Sequence, residues 1–140
     1  MSGAAVPCGM PTPLSQAEAG AFADRWFAAF NSHELARILA CYHESVEHSS
    51  PFIKRYNDAV GRGDEPSVKG LKELGEYFGR ALQRNPALRY EPLHVATGLD
   101  SVILVYRRHS HDTPPKGELA AEVFFLSPEG TISRSVSHYG

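Results

Sequence analysis

The run Ser45 to Phe52, SVEHSSPF, sets a histidine and two serines directly before a proline. An unperturbed imidazole titrates at about 6.5, so His48 is suited to passing protons at neutral pH. On an extended segment alternate side chains share a face, which puts Val46, His48 and Ser50 on one side. Catalytic group, metal ligand and polar wall all remain open for this segment. A second polar run, His109-Ser110-His111-Asp112, carries metal-ligand types, yet it enters a Pro-rich loop where histidines are commonly just solvated, so no metal site is assigned. The basic pairs Lys54-Arg55 and Arg107-Arg108 fit either solvated faces or a gate for an acidic ligand at a cavity mouth.

Elements must hold these residues. Ser15-Gln16-Ala17-Glu18 has the form of a capping box, and Ala19, Phe22, Ala23, Trp26, Ala29 and Phe30 then recur at helical spacing, which predicts a helix from about Gln16 to Phe30. Asn31-Ser32 would cap a short second helix carrying Leu35, Ile38, Leu39 and Tyr42 on one side. A strand from about Ser45 to Ser49 stops at Pro51, and a polar loop runs from Ile53 to Lys69. Leu71, Leu74, Phe78 and Leu82 mark a third amphipathic helix ended by Asn85-Pro86, with Gly75 and Gly79 one turn apart for close packing. The remainder reads as an antiparallel meander: Leu88 to Thr97, Ser101 to His109, Gly117 to Leu126 and Thr131 to Tyr139.

The sheet segments are apolar on both faces, with Val102, Leu104 and Tyr106 alternating against Ile103 and Val105. A half-solvated sheet would alternate apolar with polar, so both faces should be covered, one by the helices and the other by a second subunit. A homodimer through the outer sheet face is therefore expected. Pairing Leu126 with Thr131 sets Glu122 opposite Ser135. Ser133, Ser135, Ser137 and Tyr139 then share its face, while Ile132, Val136 and His138 take the other.

The 140 residues suffice for one domain with a real core, expected over residues 14–140. With 42% hydrophobic and 21% charged residues the composition is that of an ordinary globular protein, and no window approaches a transmembrane run. A net charge of −2 without a basic stripe argues against nucleic acid as a partner. The opening MSGAAVPCGMPTP lacks the regions of a signal peptide, so residues 1–13 are expected to be a disordered lead-in and the protein cytoplasmic. Cys8 and Cys41 show no zinc spacing, and a disulfide is not expected.

Four patterns in order carry a family resemblance: RWFAAFNSHEL from Arg25, ACYHESVEHSSPF from Ala40, KGLKELGEYF from Lys69 and AAEVFFLSPEGTI from Ala121. The chain resembles the nuclear transport factor 2-like superfamily, and within it the SnoaL-like proteins. The resemblance implies an α+β fold, a cone-shaped curved antiparallel sheet wrapped by three helices around a mostly apolar cavity, often dimeric. The superfamily mixes steroid isomerases, cyclases, dehydratases, epoxide hydrolases and members without catalysis, so fold alone does not decide function. Set against ketosteroid isomerase, Trp26 falls where that enzyme has its donor tyrosine, Ser50 where it has its aspartate base, and Glu122 where it has its protonated aspartate. A serine without an activating neighbour cannot take a proton alpha to a ketone, which excludes isomerisation of that type.

What the resemblance leaves is His48 with Glu122 facing the cavity as acid and base, and two readings of them stand: a catalytic pair, or a buried polar pair that orients the sheet. Trp26, Phe30, Phe52, Phe78, Tyr106 and Phe124 line the cavity or form plain core, with Tyr106 alternatively on the outer face, while Ser50, Ser135 and Tyr139 complete the polar wall. The resulting expectation is a lyase, isomerase or cyclase acting without a cofactor on a small apolar carbonyl compound. A non-catalytic small-molecule binder and a dimeric interaction module with a filled cavity are the alternatives.

Overall fold

The capping box starts the first helix as the sequence requires. In a computed structural model of the chain, describing residues 14–63 and 65–140, α1 spans Gln16–Ser32. The Ser15 hydroxyl accepts from the Glu18 N–H at 3.1 Å and the Glu18 carboxylate accepts from the Ser15 N–H at 3.0 Å. Its apolar stripe, from Ala19 through Phe22 and Trp26 to Phe30, is buried. The expected lead-in, residues 1–13, lies outside the described residues.

Asn31 and Ser32 belong to the end of α1 and do not cap the next helix. The Asn31 side-chain amide donates to the Tyr90 carbonyl at 2.9 Å, and its oxygen accepts the Tyr90 N–H at 2.8 Å. It thereby pairs α1 with a sheet strand as another peptide group would. In the short α2, Leu35–Leu39, Glu34 holds the N-cap position without a side-chain capping bond, and Tyr42 opens the strand β1, Tyr42–Ser49, where the spacing predicts a helix face.

The largest departure follows Pro51. A helix, α3, Pro51–Ala59, replaces the first half of the expected loop, and the strand β2, Ser67–Lys69, takes its end. Ser50 is the N-cap: its hydroxyl accepts the Phe52 N–H at 3.1 Å, and Pro51 occupies the first helical turn, where its missing N–H costs nothing. Pro51 ends the strand and begins the helix at once. Buried Asn57 donates to the Glu65 and Ser67 carbonyls, both at 3.0 Å, and so fixes the return of the chain to β2.

Helix α4, Gly70–Arg84, buries Leu74 and Phe78. A Cβ at Gly75 would meet Leu39 Cδ1 at 3.2 Å and one at Gly79 would meet Leu35 Cδ2 at 3.5 Å, so the glycine pair admits α2 against α4. The strands β3, Arg89–Thr97, β4, Ser101–His109, β5, Glu118–Leu126, and β6, Ile132–Tyr139, form the expected meander. The curled sheet has the order β2-β1-β6-β5-β4-β3. It departs from wholly antiparallel pairing at one place, because β1 runs parallel to β6. Four helices, where three were expected, accompany this α+β sheet among the described residues.

The β5–β6 register corrects the sequence reading. Leu126 pairs with Ile132, Phe125 with Arg134, and Glu122 with Ser137, so one more residue in the turn and a bulge at Ser133 together shift the expected partner by two residues. An even shift preserves facing: Ser135 and Ser137 are buried on the side of Glu122, and His138 is exposed on the opposite side. Ile132, expected on the outer face, precedes the bulge and is buried in the core. No helix among the described residues is long and apolar enough to cross a membrane.

Candidate functional site

The inner face of the sheet, α1, α3 and α4 enclose a cavity of about 440 Å³. Trp26, Phe30, Tyr42, Phe78 and Tyr90 give it an aromatic wall. Tyr90 stacks on Trp26 with ring centroids 5.4 Å apart, and the Trp26 indole N–H donates to the Tyr42 hydroxyl at 3.1 Å. Beside this wall stand His48 from β1 and Glu122 from β5, and Arg108 of β4, His111 and Asp112 also line the cavity.

Alternation along β1 turns His48 inward with Val46, and Ser135 stands beside it on the paired strand β6. Its Nδ1 lies 2.5 Å from the Ser135 hydroxyl, and its ring packs on Phe78 at 5.4 Å and Tyr77 at 6.1 Å. Loss of water pushes its pKa down to about 4, so at neutral pH the ring is uncharged. Glu122 is 3% exposed and burial drives its carboxyl the other way, up to about 8. The Ser137 hydroxyl and, at 3.5 Å, the Tyr106 hydroxyl donate to its Oε1. Its Oε2 is buried without a hydrogen-bond partner among the described residues.

His48 and Glu122 therefore share a cavity without bonding to one another; each is held by its own serine. An imidazolium near Glu122, one of the influences considered from the sequence, is not formed at neutral pH. Desolvation also raises the phenols of Tyr42, Tyr77, Tyr90 and Tyr139, Tyr77 to about 12, so all four are neutral hydroxyls. Such a cavity can offer hydrogen bonds from uncharged groups to a ligand oxygen while excluding water.

Of the residues singled out in the sequence, Trp26, Phe30, His48 and Phe52 line the cavity, as do Phe78, Glu122 and Tyr139. Ser50, Tyr106, Phe124 and Ser135, expected on the lining, lie behind it. Ser50 caps α3, Tyr106 and Ser135 hold the two ionisable groups, and Phe124 packs against Phe22 at 5.3 Å and Trp26 at 5.2 Å. Tyr106 is buried on the inner face. Tyr42, Tyr77 and Tyr90 line the cavity without having been singled out; only their place on helical or strand faces could have signalled it. His109 is bonded through Nε2 to Glu91 at 2.9 Å, and no cluster of three metal-ligand types occurs among the described residues.

Comparison with known proteins agrees with this architecture. The family model described as SnoaL-like domain matches residues 23–128. A SnoaL-like protein of unknown function from Burkholderia thailandensis is 33% identical, with 91% of this chain and 99% of that chain covered and a TM-score of 0.78. SalBIII, an epoxide hydrolase/cyclase-like enzyme in pyran ring formation in polyether salinomycin, is similar at 21% identity, 90% and 93% coverage and a TM-score of 0.67. TerC, co-crystallized with polyporic acid, is similar at 17% identity, 86% and 89% coverage and a TM-score of 0.66. The last two likenesses concern the fold alone. No curated protein matches the chain.

Proposed function

We propose, for a chain that belongs to the SnoaL-like domain family, that the cavity binds a small apolar carbonyl compound and acts on it as a cofactor-independent lyase, isomerase or cyclase. The observation that carries this reading is the unpartnered, buried Oε2 of Glu122 beside an aromatic-walled cavity. A buried polar atom left without a partner costs roughly 1–3 kcal/mol, and a ligand oxygen supplies the missing bond. A carboxyl protonated at neutral pH is a donor, and one titrating at about 8 lies close to the range in which proton donation to a developing enolate is efficient. In the tautomer that donates Nδ1–H to the Ser135 hydroxyl, His48 presents Nε2 as the acceptor. Environments that push an acid up and a base down in one cavity support this pairing of roles. The ring-forming chemistry named for SalBIII is of a kind such a cavity would serve.

A second reading is non-catalytic binding of the same ligand class, and it is favoured by the depressed basicity of His48, which at about 4 is a weak proton acceptor. A panel of aromatic ketones and polyketide fragments separates the two. For the enzyme, turnover falls by about a hundredfold or more in Glu122→Gln and His48→Ala while ligand affinity changes far less. Binding without turnover in the unmutated protein would establish the binder and end the catalytic proposal. For the assembly, we propose a homodimer through the outer sheet face, supported by the adjacent apolar side chains Ile103, Val123 and Val136 on β4, β5 and β6.

A further inference from the structure

The cavity has a rim whose charge differs from that of the chain. Arg55 of α3, Arg80 and Arg84 of α4 and Arg108 of β4 all line it, in a protein of net charge −2. Asp112, itself on the lining, and Glu118 lie 3.4 Å and 3.6 Å from Arg108 and offset its charge, while Glu73 and Glu76 lie 3.9 Å and 2.7 Å from Arg62, off the lining. Arg55, Arg80 and Arg84 have no ion-pair partner among the described residues, and all three are exposed.

Two of these guanidiniums are steadied on rings that also line the cavity. Arg55 lies over Phe52 at 5.8 Å and Arg80 over Tyr56 at 5.9 Å. Stacking on a ring face leaves the N–H edges of a guanidinium free, and that edge matches a carboxylate in a bidentate pair. Like charges gathered at one mouth repel, and an anion between them relieves the repulsion.

From these exposed arginines and the unpartnered oxygen of buried Glu122 on the same lining, we infer that the ligand is an apolar keto acid, bound with its carbonyl toward Glu122 and its carboxylate among Arg55, Arg80 and Arg84. The inference rests on the reading of the cavity as a small-molecule site. It adds the charge and the polarity of entry: the apolar end goes in first and the anion stays at the mouth.

The test is titration of the full chain with β-benzoylpropionate and with its methyl ester, by calorimetry and by quenching of Trp26, the single tryptophan and a lining residue. The acid should bind about tenfold or more tightly than the ester at low ionic strength, with the difference shrinking as salt is added. Arg55→Gln with Arg84→Gln should remove that advantage, weakening the acid about tenfold more than the ester; Arg80→Gln alone should remove part of it. Equal binding of acid and ester, or equal weakening of both by the arginine substitutions, overturns the keto-acid inference while the cavity reading stands. Binding of neither overturns both.

Discussion

At His48 and Glu122 burial acts on charge in opposite directions, and this makes their contribution to stability pH-dependent in a defined way. Glu122 titrates at about 8 in the fold against 4.5 for the free group, so the unfolded chain releases this proton first. Its contribution is present at low pH and is lost as pH rises from 4.5 through about 8. His48 titrates at about 4 against 6.5, so its contribution is present above 6.5 and is lost as pH falls toward 4. Between 4.5 and 6.5 the two slopes oppose, and above 6.5 only that of Glu122 remains. Thermal melts should therefore show a decline from about pH 6.5 to 8, on the order of a few kcal/mol, that Glu122→Gln abolishes. Identical melting profiles for the two proteins over that interval would mean that Glu122 is ionised in the fold. That Glu122 and Ser50 faced a cavity was implied by the family resemblance, and alternation from Ser50 then put His48 on the same side. Their separate serine partners were not, because partner identity depends on strand register.

At the scale of elements, α3 connects local sequence to the cavity. Ser50 and Pro51 are both strong helix-start residues, and the helix they begin carries Phe52, Arg55 and Tyr56 onto the lining. Replacing Ser50 by Ala removes the acceptor for the Phe52 N–H and should lower stability by about 1 kcal/mol in urea unfolding, while Thr retains most of it. If Ala and Ser are indistinguishable, the cap does not secure this helix. The helix went unread because its buried contacts are few, Ile53 and Asn57 one turn apart, and a polar segment of nine residues offers no apolar stripe. By contrast α1 buries a long stripe and α4 carries Leu71, Leu74, Phe78 and Leu82 at helical spacing, and both were read nearly to their ends; the two α4 glycines found their reason in the approach of α2.

For the whole molecule, the sheet presents its outer face to the surroundings. Ile103 is 40% exposed and Leu119 47%, and Val123 lies opposite both Ile103 and Val136. Apolar side chains continuous across three strands favour association. Light scattering after gel filtration should give twice the monomer mass, and Ile103→Lys with Val123→Lys should give the monomer with its circular dichroism unchanged. A wild-type monomer at tens of micromolar, a concentration at which an extensive apolar interface would be saturated, would exclude the dimer.

The sequence by itself determined the α1 cap, the apolar faces of α1 and α4 and the meander, because these follow from periodicity and local hydrogen bonding, while the inward face of His48 and Glu122 is what the family resemblance implied. Only the tertiary structure decided that β1 runs parallel to β6, that a bulge at Ser133 buries Ile132 and brings Ser137 to Glu122, and that Arg55, Arg80 and Arg84 from two helices meet at one mouth. Pairing register and the convergence of distant side chains are set by packing among elements, and no local pattern records them. The same packing removes water from both ionisable groups, so the protonation states on which the proposed chemistry depends are properties of the assembled cavity.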